Sequence, residues 1–400
     1  MTPGSNQYST VSDLAPREAE LTDLRRRLHA DPELSFEEVR TSAFVAEKLE
    51  GWGYEVTRNI GGHGVVGVLR QGEGGRSVAI RADMDALPIT EATGLPYASK
   101  HPGKMHACGH DGHTTVLLGA AEHLARTRRF RGTVVLVFQA AEEAGRNSGA
   151  QAMIADGLFE RFPCDAIFGL HNHPGAPEGT ILTRSGPMMA ASDTVFLRIR
   201  GKGGHASRPH LTVDPVVAAA ATVMALQTVV ARNVDPNDAA VVTVGTIHGG
   251  TATNVIPEAA ELGLSVRSFT PGTRSLLEAR IRAIAANTVA AHGATVDIAW
   301  EHGYPVVVNS EAETAFATEV ARELVGADNV HPCPMLPGSE DFAYYLQHRP
   351  GSFLRLGNGE RSPILHSAGY DFADGSLVTG AALWARLAER FLAEDRARAS

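Results

Sequence analysis

Apolar residues recur at helical spacing from Leu21 to His29, and the run stops at Asp31 and Pro32, where proline pushes its predecessor out of helical geometry. A second helical period covers Thr41 to Gly51. Val65 to Leu69 and Ser77 to Ala82 instead read as strands, Thr114 to Thr127 as a helix, and Thr133 to Gln139, the unbroken run TVVLVFQ, as a buried strand; the segment DAIFGL, ending at Leu170, reads as another. Strands alternating with helices predict an α/β domain with a mixed or parallel sheet. Near residue 187 the order becomes strand (Thr194 to Arg200), helix (Pro215 to Asn233), strand (Val241 to Ile247), strand (Glu261 to Ser268), helix (Arg274 to Gly293) and strand (Thr295 to Glu301). That βαββαβ order is the ferredoxin-like α+β unit. It predicts a small domain over 187–301 inserted into a larger, discontinuous one, 1–186 and 302–400, whose alternation resumes at Val306 and closes on a helix from Leu377 to Glu394.

Composition narrows the classes. Apolar residues make up 44% and charged residues 20%, which excludes disorder as the dominant state. Lys plus Arg number 36 against 45 Asp plus Glu, and the resulting −9 repels phosphate backbones, so no nucleic-acid partner is expected. The basic run at Arg126, Arg128, Arg129 and Arg131 has no aromatic residue interleaved and reads as a solvated face. Cys108, Cys164 and Cys333 form neither a CxxC pair nor an even-numbered framework, as expected in a reducing compartment. The polar N-terminus lacks the basic-then-apolar order of a signal peptide and reads as a short flexible lead. The longest apolar stretch, Val216 to Ala231, is interrupted by Thr222, Gln227 and Thr228 and reads as a buried helix. A cytoplasmic protein with no membrane partner is the expectation.

The candidate chemistry is concentrated in MHACGHDGHTT, where His106, Cys108, His110, Asp111 and His113 fall within eight positions. Thiolate and imidazole suit divalent transition metals, and Cys108 and His110 can face one ion from a turn; a polar loop with a capping Asp would give the same composition. The apolar strand ending at Gln139 runs into AAEE, which puts Glu142 and Glu143 at the C-terminal end of a buried strand, where α/β sheets place their sites. One carboxylate could bind metal while the other handles protons, although an acid-rich helix start would look alike. DAIFGL ends in His171 and His173, and AIRADMDALPI runs a strand into Asp83 and Asp85, acids of the type that orient ligating histidines or open a turn before proline. His366 lies far downstream in ILHSAGYDF and depends on the fold to join the others.

Taken in order, RRRLHADPELSFEE, RADMDALPI, MHACGHDGHT, FQAAEE, GLHNHP, GKGGHASRPH, TNVIP and GSEDFAYY resemble the aminoacylase, hippurate-hydrolase and auxin-conjugate-hydrolase branch of the dinuclear metallopeptidases. The resemblance spans about Leu21 to Phe391. It implies a metallopeptidase-type catalytic domain with an inserted dimerisation or lid domain, in a homodimer or homotetramer. It also implies hydrolysis of N-acyl amino acids to a carboxylic acid and a free amino acid, with two divalent ions per subunit, Zn, Mn, Co or Ni. Cys108, His110, Glu143, His171 and His366 would hold the metals, and Glu142 would be the general base. Asp85 matches the acid that orients ligands, Asp83 stands where relatives often have a ligating histidine, and His173 is an extra ligand or a neighbour of His171. His205 becomes catalytic, reaching the neighbouring subunit's site from a glycine-flanked turn, while Asn254 and Arg267 would bind the substrate carboxylate.

Two rivals belong to other classes. Gly62, Gly64 and Gly67 have GxGxxG spacing, but the following VLRQGEGG opens no helix, so an oxidoreductase is not supported. A metal-binding protein without catalysis would use the same ligands and would have no need of Glu142. Within enzymes, the alternative is a dipeptidase or carboxypeptidase on the same scaffold.

Overall fold

In the computed structural model, which describes residues 8–72 and 75–393, the apolar runs flanking the predicted insertion form one eight-stranded mixed sheet. Its order is Glu55–Ile60, Gly64–Gln71, Gly132–Gln139, Ser77–Asp83, Ala166–His173, Gly351–Gly357, Ile181–Thr183 and Val330–Pro332. Gly132–Gln139, Ser77–Asp83, Ala166–His173 and Gly351–Gly357 run parallel, so their C-terminal ends, at Asp83, Gln139, His173 and Gly357, open on one edge. They are buried on both faces: Val134, Leu136 and Phe138 on one face and Val135, Val137 and Ile167 on the other are at most 2% exposed, which is why their sequences read as largely continuous apolar runs. The strand Glu55–Ile60 was not predicted, because only Ile60 of its six residues is fully buried and no apolar alternation marks it.

Two local features depart from expectation. The helix predicted from Thr114 starts at His110, one turn earlier. Its N-cap is Gly109, at φ 90°, with no capping side chain, so the start carries no Ser, Thr, Asp or Asn signal. A Cβ at Gly109 would come within 2.7 Å of Asn172 Oδ1 and Tyr370 Oη, so both conformation and space require glycine there. The N-terminal lead is not loose once described. Thr10 caps the helix Val11–Leu14, and the buried Ser9 donates from N and Oγ to Glu389, 2.6 Å each, with Oγ also 2.8 Å from His123 Nε2. Residues 1–7, and the predicted helix end at Glu394, lie outside the described residues.

The second compact unit comprises Pro187–Val307 and Met335–Glu340; the first holds the rest of the chain. The short return segment joins it through backbone bonds between Leu336 and both Met188 and Ala190. Its four antiparallel strands lie in the order Ala240–Gly249, Ala259–Ser268, Ala191–Arg200, Thr295–His302, the ferredoxin-like arrangement. Val195, Leu197 and Ile199 alternate with exposed neighbours along one strand, while the helix Pro271–Ala291 buries Leu277, Ile281, Ala285 and Val289 at four-residue spacing against that face. The helix predicted over Pro215 to Asn233 is broken at Gln227 into Pro215–Leu226 and Thr228–Asn233. No helix among the described residues is long and apolar enough to cross a membrane.

Candidate metal centre

At the C-terminal edge of the parallel strands, five candidate ligands of three types, from four chain segments, converge. Cys108 Sγ lies 3.3 Å from His171 Nε2 and 3.4 Å from His366 Nε2. Glu143 Oε1 is 3.2 Å from His366 Nε2 and 4.0 Å from His110 Nε2. Cys108, His110 and His171, and again Cys108, Glu143 and His366, each bring their ligand atoms within 4.8 Å of one another. Cys108, His110 and His171 are buried, and His366, held in a left-handed conformation at φ 62°, is half exposed.

The donor set fits a metal on the chemistry of its free atoms. His110 Nδ1 faces Asp85 Oδ1 at 3.2 Å, and His171 Nδ1 faces the carbonyl of Asn172 at 2.8 Å; both acceptors place the ring proton on Nδ1 and leave the Nε2 lone pair for the centre. His110 Nε2 is buried without a hydrogen-bond partner. Such an atom is costly unless something pairs with it. Burial acts against charge on His110, but Asp83, Asp85 and Glu143 outweigh it and push the imidazole up to about 10. The same carboxylates that favour a proton there favour a divalent cation. Burial keeps His171 neutral, its pKa well below the usual histidine range, and the charge of Arg355 acts in the same sense.

Glu142 and Glu143 leave the Gly132–Gln139 strand through a left-handed Ala141, φ 54° and ψ 46°. Their N–H groups donate to the two oxygens of Asp85, at 3.1 and 2.9 Å, while Ser35 Oγ donates to the same carboxylate at 2.7 Å. Burial opposes ionisation of Asp85; the bonds from His110, Ser35 and Glu143 N–H outweigh that and hold it below the usual carboxylate range. Glu142 is 5% exposed and can be grouped with His110 and Glu143 within 4.8 Å.

Asp83 can be grouped with His110 and His113 within 4.8 Å but is already engaged by neighbours, and His173 is turned to Arg355. Asp83 accepts from Arg81 and pairs with His113 Nδ1, 2.6 Å each, and lies 3.8 Å from His110 Nε2. His173 Nδ1 receives Arg355 Nε at 3.4 Å, and burial with the Arg355 charge brings it down to about 4. Behind the ligands runs a buried polar chain that the sequence did not single out as one. His113 meets Asn172 Oδ1 at 2.8 Å, Asn172 Nδ2 donates to Tyr370 Oη, and Arg81 bridges Asp83, Gln139 and Asp341. His29 Nδ1, 2.8 Å from Asp111, ties the helix Glu18–Ala30 to the first turn of the helix that starts at His110. His29, His113, Asn172 and Arg81 all stand inside the motifs quoted above, but no pattern there assigned any of them a part in this polar chain.

The remaining candidates lie in the second unit. His205 is exposed on a two-residue strand paired with Val255–Ile256, and its Nδ1 receives Ser207 N–H at 3.1 Å. Asn254, also exposed, accepts Ala206 N–H on its carbonyl at 3.0 Å, which seats it beside that hairpin. Arg267 is near the far end of the Ala259–Ser268 strand, where its guanidinium donates to Ser339 Oγ at 3.1 Å. At about 3.3 Å per residue, roughly 25 Å of strand separates Arg267 from the hairpin end.

The comparisons with known proteins agree with this chemistry. The model of peptidase family M20/M25/M40 matches residues 79–390. A hippurate hydrolase from Campylobacter jejuni is 42% identical over 384 residues, 96% of this chain and 99% of its own. An N-acetyl-L-cysteine deacetylase from Bacillus subtilis is 43% identical over 352 residues, 88% of this chain and 83% of its own. Among solved structures, the Bacillus subtilis YXEP protein, described as a dinuclear metal binding peptidase from the M20 family, superposes with a TM-score of 0.83 at 34% identity, over 94% of this chain and 99% of that one.

Proposed function

The chain belongs to peptidase family M20/M25/M40, and from that premise we propose that it is a metal-dependent amidohydrolase cleaving N-acyl amino acids into a carboxylic acid and a free amino acid. The observation that carries this reading is the convergence of Cys108, His110, Glu143, His171 and His366 beside a second carboxylate, Glu142, which a purely metal-binding site would not need. The five ligands would hold two divalent ions per subunit, drawn from Zn, Mn, Co and Ni. When bound, such ions lower the pKa of water and polarise a scissile carbonyl.

The protein's own residues supply the rest. Glu142 takes a proton from the attacking water and returns it to the leaving amine, so that water and amide become acid and amine. Asp85 fixes the His110 ring and, through two N–H groups, the turn that bears Glu142 and Glu143. Because Nδ1 of His205 accepts from Ser207, the neutral ring carries its proton on Nε2, ready to donate to an oxyanion. Arg267 binds the substrate's carboxylate through its planar fork; Asn254, seated beside the His205 hairpin, reaches the same substrate only together with that hairpin. About 25 Å of strand is too far for one small substrate to meet both Arg267 and His205 of the same copy. That distance supports a homodimer in which the partner's hairpin supplies the oxyanion donor. The surface of the second unit supports pairing too: Ala240–Gly249 is an edge strand with Val241 and Ile247 exposed, and the helix Pro215–Leu226 exposes Val216, Val217 and Met224.

The test is hydrolysis of a panel of N-acetyl, N-benzoyl, N-indoleacetyl and long-chain N-acyl amino acids beside plain dipeptides, before and after exhaustive chelation. Activity on the N-acyl series that chelation abolishes and a divalent ion restores is expected. Metal should also protect Cys108 from alkylation, with Cys164 and Cys333 as internal controls. Turnover by protein shown to be metal-free would sink the proposal, and preference for dipeptides would move the chain to the dipeptidases.

A further inference from the structure

Glu38 lies outside every candidate ligand group, yet its side chain is wholly buried. One oxygen, Oε1, accepts the N–H of Ala141 at 2.8 Å; the other, Oε2, has no hydrogen-bond partner. Ordinary packing does not call for this, since a buried carboxyl with one oxygen unpaired is less favourable than an apolar side chain of the same volume. What it touches gives the reason. Ala141 stands in the left-handed region at φ 54°, a conformation that a residue with a Cβ disfavours, and it is the last residue before Glu142. Its carbonyl is also held, by Gly149 N–H at 2.9 Å.

Three successive N–H groups, those of Ala141, Glu142 and Glu143, are therefore received by two carboxyls, Glu38 and Asp85. Both trace to one segment: Glu38 belongs to it, and Asp85 is gripped by its Ser35 at 2.7 Å. The segment is itself anchored, because Ala86 N–H donates to Glu33 at 2.8 Å and Leu34 bridges Ala86. We propose that Glu38 is a positioning residue: by accepting Ala141 N–H it keeps that residue left-handed and so sets the direction in which Glu142, the next residue, leaves the strand, while Glu143 stays held by Asp85. The proposal rests on the reading of Glu142 as the general base. Burial and the neighbouring charge of Asp85 push Glu38 up to about 8, so near pH 7 it is mostly protonated and glutamine resembles it in shape, charge and acceptor.

The experiment compares metal-loaded wild type with Glu38→Gln, Glu38→Met, Glu38→Asp and Glu142→Gln, measuring kcat, KM, bound metal and thermal midpoint. Glutamine preserves the acceptor and should keep kcat within about threefold, whereas methionine, which lacks it, and aspartate, one methylene short, should lower kcat about tenfold or more with KM and metal content held. Aspartate keeps the series readable if methionine disturbs folding. Adding Ala141→Gly to Glu38→Met should recover part of the loss, because glycine takes positive φ without support. A wild-type kcat in the methionine or aspartate variant would overturn the proposal. So would equal damage from glutamine and methionine, or a loss carried by KM or metal content. If Glu142→Gln turned over like wild type, the base assignment would fall and take this with it; if Glu142→Gln were inactive while Glu38→Met was not, Glu38 alone would lose its role.

Discussion

His110, His113 and His171 of the first unit and His205 of the second are held in opposite ways. In the first, His110, His113 and His171 are at most 5% exposed, and their rings are fixed by Asp85, Asp83 and the Asn172 carbonyl. In the second, His205 is exposed and its ring is bonded to Ser207, two residues along the same hairpin. Buried polar groups must satisfy one another, so the fold dictates where such rings point. An exposed ring on a two-residue strand is placed by what binds to it. The contrast fits the two tasks proposed for them, since ligands need fixed geometry before a reaction and an oxyanion donor is needed only in the transition state.

The largest effect should come from the buried side. Glu142→Gln is expected to keep the metals and lose about 10² to 10⁴ in kcat, the usual worth of a general acid-base group. Glu143→Gln should instead lose metal, because Glu143 Oε1 faces His110 and His366. Metal analysis beside steady-state kinetics distinguishes the two. If Glu143→Gln retained its metal while Glu142→Gln lost it, the roles would be exchanged, and the comparison between a fixed ligand and a working base would have to be redrawn.

What the sequence made legible follows the same division. The runs at Ser77 and Thr133 could be read as strands because burial on both faces makes them largely apolar, and the inserted unit because its strand and helix periods follow one another in βαββαβ order. Ligand types stood out where they cluster, as around Cys108. The helix start at His110 was hidden because Gly109 caps it by conformation rather than by a side chain. The edge strand Glu55–Ile60 is mostly exposed and left no pattern. Asn172 and Arg81 act through contacts with residues 59 and 260 positions away, a kind of partnership that periodicity cannot reveal. The return of Met335–Glu340 to the second unit is of the same kind.

A smaller effect, about 10² in kcat, is expected for His205→Ala, as for the loss of one oxyanion donor, with metal content unchanged. Mixing His205→Ala with Glu142→Gln sharpens the comparison. If the exposed hairpin works in trans, each heterodimer has one site with both residues intact, and subunit exchange restores up to half the activity of that heterodimer. If it works in cis, one site lacks its base and the other its histidine, so no recovery appears, and the two units would then serve the same copy. Loss of metal from His205→Ala would break the contrast itself.

The smallest expected effect is on stability rather than rate, and it tests how far buried fixation extends behind the ligand turn. His29 is inaccessible, with Nδ1 against Asp111 at 2.8 Å, Nε2 3.4 Å from Glu91, and Arg25, Tyr97 and His106 packed nearby. Burial and the Arg25 charge disfavour its proton, but Asp111 and Glu91 outweigh them and push the ring up to about 10, against an ordinary value near 6.5. The folded state thus keeps a proton that the unfolded chain releases. The stabilisation is fully present below about pH 6.5 and is lost as pH rises toward 10. Between pH 7 and 9.5 it should amount to on the order of 2 kcal/mol. Denaturant unfolding of the metal-loaded protein at those two pH values, for wild type and His29→Gln, isolates it, because other alkaline groups contribute equally to both. Wild type should lose more stability than the variant over that interval. Parallel losses would mean that the ion pair behind His110 is held no more firmly than a surface contact, and the distinction between a buried, fixed set of histidines and an exposed, adjustable one would stop at the ligands.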